Sequence, residues 1–181
     1  QCDWEFRRVL FRSLENSFSL RDVVADLNVL PVSNYAGDAL VHKGFRDQAD
    51  SIWGQLQGHL KSAIAASKAI HLTGHSLGAA VALQLADRME TEMGVLPQSV
   101  LRLGGPDIGW ADEKAHLERT GLAERTFNVM NSGDPIPWIL PLGKAAGQEI
   151  YLDRKGDADI SGGSHLVDRA LGKAQDVRTG H

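Results

Sequence analysis

The run AIHLTGHSLGAAVALQLA, Ala69–Ala86, changes its hydrophobic period at its centre. Ala69–Thr73 is a short apolar run of strand length, whereas Leu77 to about Met93 carries apolar residues at helical spacing and on most sides. Between them lies Gly74-His75-Ser76-Leu77-Gly78. A strand that feeds straight into a helix forces a sharp turn, strains its central residue and projects that side chain from the sheet edge. Only small residues two positions to either side avoid a clash there. The five letters are a weak signal by themselves; their place between strand and helix sharpens it. Ser76 would then sit at a helix N-terminus, where unpaired N–H groups and the helix dipole favour developing negative charge. The Leu77 N–H would form half of an oxyanion hole. The alternative is a serine that simply caps a helix between two turn glycines.

Outward from this turn, punctuation and periodicity predict alternating helices and strands. Ser19–Leu27 reads as a short helix, Pro31–Gly37 as a turn-rich connection and Ala39–His42 as a brief strand. From Phe45 to Ser67, the residues Phe45, Ala49, Ile52, Trp53, Leu56, Leu60, Ala63 and Ile64 recur three or four apart, one face of an amphipathic helix. Strands are expected at Ser99–Leu103, Thr126–Met130 and Glu149–Leu152, with a helix at Ala111–Arg119. The alternation implies one α/β domain, a mostly parallel sheet with flanking helices and right-handed crossovers.

Composition narrows the class. The chain has 181 residues, the size of one domain, and 43% hydrophobic with 23% charged residues excludes a disordered or collagen-like chain. Nineteen Lys and Arg against 23 Asp and Glu give a net charge of −4 with no basic block, so no nucleic-acid surface is expected. No apolar run approaches the roughly 18 residues of a membrane span. A single cysteine, Cys2, leaves no internal disulfide and no thiolate metal cage, and the compartment stays open. Gln1–Leu14 lacks the apolar stretch of a signal peptide. Glu5–Ser13, EFRRVLFRS, resembles a translated sequencing adapter, so residues 1–13 are expected to be non-native and residues 14–181 to be an N-terminally truncated domain. A basic surface strand is the competing reading of that peptide.

A serine hydroxyl becomes a nucleophile only when a base removes its proton and an acid orients that base. Of the seven histidines, His75 adjoins the serine and must point elsewhere, His71 is expected packed within the sheet, His59 and His116 on solvated helix faces, and His181 is terminal. His42 and His165 remain. His165, in the SGGSH loop after the last strand, completes the order Ser, acid, His that accompanies a serine on such a turn. For the acid, Asp134 follows the strand ending near Asn131, in a turn continuing through Pro135, Ile136 and Pro137. Asp107 competes one strand earlier, and Asp153 and Asp157 rank after both. Each also reads as an ordinary turn residue.

These residues resemble the class 3, or fungal-type, lipase family. Val41-His42-Lys43-Gly44-Phe45, Thr73–Ala79, Gly105-Pro106-Asp107-Ile108-Gly109 and Asn131–Pro137 follow that family's order and approximate spacing. The resemblance covers roughly Leu14 to Pro141. It implies an α/β-hydrolase fold, carboxyl-ester hydrolysis through an acyl-enzyme, a Ser76, Asp134 and His165 triad, no cofactor and no metal. Ser19–Leu27 resembles the family's lid helix, with Val23 and Val24 facing the site. Family members carry Phe-Arg-Gly-Ser/Thr upstream, whose last residue gives the second oxyanion donor. Here the stretch is Phe11-Arg12-Ser13-Leu14, so Leu14 holds that position without a hydroxyl. The apolar run Pro137, Trp138, Ile139 and Leu140 suits an acyl-binding wall or a buried loop anchor. The partner implied is a lipid or other ester, met at a lipid–water interface. A short-chain esterase, phospholipase or thioesterase would use the same triad, and a non-catalytic lipid- or partner-binding module could keep the same fold. A metal enzyme is least expected, because no His, Asp and Glu cluster shows ligand spacing.

Overall fold

The computed structural model describes residues 28–131, 146–152 and 158–159. The peptide read as foreign, the lid-like segment, the Asp134 turn and the His165 loop lie outside the described residues.

Strand β1 (Pro31–Ser33) pairs antiparallel with β2 (Leu40–His42), and helix α1 (Lys43–Ala65) follows at once. Strand β3 (His71–His75) leads into helix α2 (Leu77–Met93), then β4 (Ser99–Leu103), helix α3 (Ala111–Arg119), a 3-10 turn at Ala123–Arg125 and β5 (Thr126–Asn131). Strands β6 (Gln148–Leu152) and β7 (Ala158–Asp159) complete the described elements. The main sheet has the order β3-β4-β5-β6-β7, parallel except for the antiparallel β6–β7 pair. This is the mostly parallel sheet the alternation predicts.

Helix α1 buries Phe45, Ala49, Trp53, Leu56 and Leu60, a stripe at three- and four-residue steps. Those side chains pack on α2, which is buried on most sides from Gly78 to Asp87. Beneath them Leu72 and Val100 stand at paired positions of β3 and β4 and share the covered face of the sheet. Residues of opposite parity point away from the helices. His71, Thr73 and His75 are exposed among the described residues, as is Leu101. The expectation that His71 is packed in the sheet is therefore corrected: its parity turns it from the core, and Nδ1 lies 2.8 Å from Ser99 Oγ.

Two more expectations change. Pro31–Ser33 begins the segment read as turn, yet it is a strand. A proline is tolerated at the first position of an edge strand because its missing N–H breaks no ladder. The turn follows it, with Asn34 Oδ1 accepting from the N–H groups of Gly37, Asp38 and Ala39 at 2.8, 3.1 and 3.3 Å. His116, expected on a solvated face, is only 2% exposed. Its face of α3 turns toward α2, where Nε2 meets Asp87 Oδ1 at 2.8 Å.

Leu83, 1% exposed at the centre of α2, should lose about 3–5 kcal/mol on substitution by Ala, transfer and cavity terms together. Leu30, 62% exposed, should change stability by no more than about 0.5 kcal/mol on substitution by Ser. Urea unfolding of both variants checks the pair.

Candidate active site

Strand β3 ends at His75 and α2 begins at Leu77, so Ser76 alone makes the turn. Its φ of 54° and ψ of −126° lie in a region that non-glycine residues seldom occupy, at about 1–3 kcal/mol. A capping serine has extended backbone angles and spends its hydroxyl on the first N–H groups of the helix. Ser76 has neither the angles nor the bond, since it makes no side-chain cap hydrogen bond. The capping alternative thus fails, and the hydroxyl is not spent on the helix. The bend is fixed by its backbone: the Ser76 N–H donates to the Leu103 carbonyl of β4 at 2.8 Å, and the Ala79 N–H donates to the Ser76 carbonyl at 2.9 Å. Leu77, the first residue of α2, has an N–H with no acceptor inside the helix, as the oxyanion role requires.

Close packing explains the glycines. A Cβ on Gly74 would lie 2.1 Å from the Gly78 carbonyl oxygen and 2.6 Å from the Ala79 nitrogen. A Cβ on Gly105, in the loop after β4, would lie 2.4 Å from the Ala79 Cβ. That loop is held from two further sides. The His42 N–H donates to the Ile108 carbonyl at 2.9 Å and Val41 bridges Gly109, so the VHKGF and GPDIG blocks meet in space. Arg102, buried on the covered face of β4, donates through Nη1 to Asn128 Oδ1 at 2.7 Å and through Nη2 to the Pro106 carbonyl. Burial pushes the Arg102 pKa down to about 10, and the Asp107 charge opposes that shift. Sequence reasoning missed Arg102 and Asn128. The signal is a cation alternating with apolar residues in Ser99–Leu103, at the parity of buried Val100.

His42, 3% exposed, has its Nδ1 3.3 Å from the Val29 carbonyl and its ring 4.4 Å from that of Trp110, centroid to centroid. Burial lowers its pKa, disfavouring the charged form, and the bond to the Val29 carbonyl opposes that shift. Asp107 lies near enough to Arg102 to act on its charge. His59 and His75 are exposed. Ser76 and Leu77 are thus placed together at the turn. Asp134, His165, Leu14, Val23, Val24, Pro137, Trp138 and Ile139 lie outside the described residues, as do Asp153, Asp157 and His181.

Gly105→Ala should destabilise the protein by about 1–3 kcal/mol through overpacking. Ala79→Gly alone should cost about 1 kcal/mol as an Ala-to-Gly change within a helix. Because the two Cβ positions compete for one space, the double variant should be more stable than the sum of the singles predicts, by at least about 0.5 kcal/mol. Additive unfolding energies would refute the competition.

Comparison with known proteins agrees with this architecture. The family profile described as Lipase (class 3) matches residues 8–144. A lipase of Rhizomucor miehei is 28% identical over 158 residues, which are 80% of this chain and 42% of that protein. A solved triacylglycerol lipase whose catalytic centre is a serine protease triad superposes with a TM-score of 0.68 at 27% identity, covering 79% of this chain and 57% of that one. Lipase II from Rhizopus niveus reaches a TM-score of 0.71 at 22% identity over 80% of this chain and 58% of its own, a likeness of fold. The chain therefore spans less than three fifths of each of these proteins. With the profile matching well over half of its residues and the elbow glycines in their required places, the chain belongs to the class 3 lipase family and has its α/β-hydrolase fold.

Proposed function

We propose that the chain carries the nucleophile of a carboxylic ester hydrolase of triacylglycerol-lipase type. The observation that carries the reading is Ser76, held at a positive φ between strand and helix with its hydroxyl free of any capping bond. Family membership and the triad of the solved triacylglycerol lipase support it.

In this mechanism Ser76 Oγ attacks the ester carbonyl while His165 takes the hydroxyl proton. Asp134 orients the imidazole and stabilises the imidazolium. The tetrahedral oxyanion is held by the Leu77 N–H at the start of α2, where the helix dipole adds to the hydrogen bond. The alcohol leaves with the proton from His165, and water then attacks the acyl-enzyme by the reverse path. Leu14 holds the position of the second oxyanion donor and can offer only its backbone N–H. Loss of one donor costs on the order of 10²- to 10³-fold in rate. Val23 and Val24 would face the substrate from the lid side, with Pro137, Trp138 and Ile139 along the acyl chain. The substrate is a lipid ester met at an interface; no helix among the described residues is long and apolar enough to cross a membrane.

Ser76→Ala should remove hydrolysis of p-nitrophenyl esters and covalent labelling by a fluorophosphonate, with little change in the unfolding midpoint. Residual hydrolysis at the unsubstituted rate would refute the mechanism. A folded Ser76 protein that resists the fluorophosphonate would point to a binding module without catalysis.

A further inference from the structure

Asp87 and Glu90 stand about one turn apart on α2, and His116 of α3 closes on them. One donor atom from each residue lies within 4.8 Å of the others. His116 Nε2 is 2.8 Å from Asp87 Oδ1. The other oxygen of the same carboxylate, Asp87 Oδ2, has no hydrogen-bond partner although Asp87 is 0% exposed. A buried polar oxygen without a partner is disfavoured, and a cation bound there would satisfy it.

The far side of the imidazole is also arranged. His116 Nδ1 lies 2.9 Å from Asp38 Oδ1. Asp38 accepts in turn from Asn34 Nδ2 at 3.1 Å and from Arg119 Nη2, so its position is fixed from both sides. A carboxylate bonded to one ring nitrogen fixes the tautomer that presents the other nitrogen to a metal.

We propose that Asp87, Glu90 and His116 bind a divalent transition-metal ion of the zinc class, with Asp38 as the outer carboxylate that orients the imidazole. One imidazole and two carboxylates suit zinc better than calcium or magnesium, which favour oxygen ligands throughout. Tetrahedral coordination with bonds of about 2.0–2.2 Å sets donor atoms about 3.4 Å apart. Glu90, half-buried on a flexible side chain, can rotate to close a wider spacing, and His116 Nε2 and Asp87 Oδ1, now 2.8 Å apart, would move apart to reach it. The ion would tie α2 to α3 and, through Asp38, to the turn between β1 and β2. Its fourth position would hold water.

Zn²⁺ titrated calorimetrically into the chelator-stripped protein should bind at one equivalent and raise the thermal midpoint, and Co²⁺ in its place should give a visible absorption band. Glu90→Gln, at the half-buried rim, should weaken Zn²⁺ binding at least tenfold. Asp38→Asn, a change at a positioning residue, should weaken it roughly 10- to 100-fold. His116→Asn should remove the Co²⁺ band; if that variant does not fold, the other two decide the matter. No saturable Zn²⁺ binding overturns the proposal. Binding that Glu90→Gln and Asp38→Asn leave at the unsubstituted affinity also overturns it, because the ion would then be held by exposed histidines.

Discussion

The backbones of β3 and α2 pass so close at Gly74 that a single Cβ would overlap the Gly78 carbonyl. That close approach accompanies the sharp change of direction at Ser76 and its positive φ. The strain, about 1–3 kcal/mol, persists only because the surrounding structure over-determines it. Burial of Leu83, Leu85 and Met89 along α2, at about 1.5–3 kcal/mol each, exceeds it severalfold. The apolar face of the helix fixes where α2 must lie, and the turn takes the conformation that remains. The strain at Ser76 is thus offset by apolar side chains farther along α2.

The loop from Gly104 to Gly109 supports the bend from below, and its anchor is a buried cation. A pKa pushed down to about 10 shows that burial disfavours the charged form, yet 10 is far enough above neutrality that the guanidinium stays charged. An apolar residue at that position would avoid the desolvation cost. It would also leave Asn128 and the Pro106 carbonyl without their donor, at about 1–3 kcal/mol for each buried group left unpaired. The planar guanidinium reaches both partners at once, and so links β4, β5 and the loop that touches Ala79.

Local rules were enough for much of the fold. Helix α2 and strands β3 to β6 follow from period changes and punctuation within each segment, and the elbow from glycines whose spacing is itself local. The expected strand Ala69–Thr73 lies two residues early, because the ladder with β4 continues through Gly74 and His75 to the turn. His71 was misread because an apolar run carries no parity signal until the covered face is known. Ser76 and Leu77 were legible for the same local reason as the glycines. Arg102 and Asn128 were not, since their pairing joins different strands, 26 residues apart. In the segment ADEKAHLER, Glu113 and His116 look like any solvated helix face, and only tertiary partners distant in sequence, Asn34 for Glu113 and Asp87 for His116, mark them as buried.

This buried polar cluster bears on the elbow through the geometry of α2. Apolar packing resists separation of a helix from its neighbours more than it resists rotation about its axis, because one methyl contact substitutes for another. Directional bonds such as that of His116 to Asp87 do resist rotation. The quantity at stake is small but sufficient. At a Cα radius of about 2.3 Å, a 20° rotation moves the backbone by about 0.8 Å. A catalytic donor tolerates displacements of only about 0.5 Å. Asp87 lies ten residues from Leu77, about 15 Å along the axis, well outside contact with any substrate at Ser76. Fixing the rotation there would fix where the Leu77 N–H points, so that a polar group too remote to touch the reaction would set the geometry of the proposed oxyanion hole.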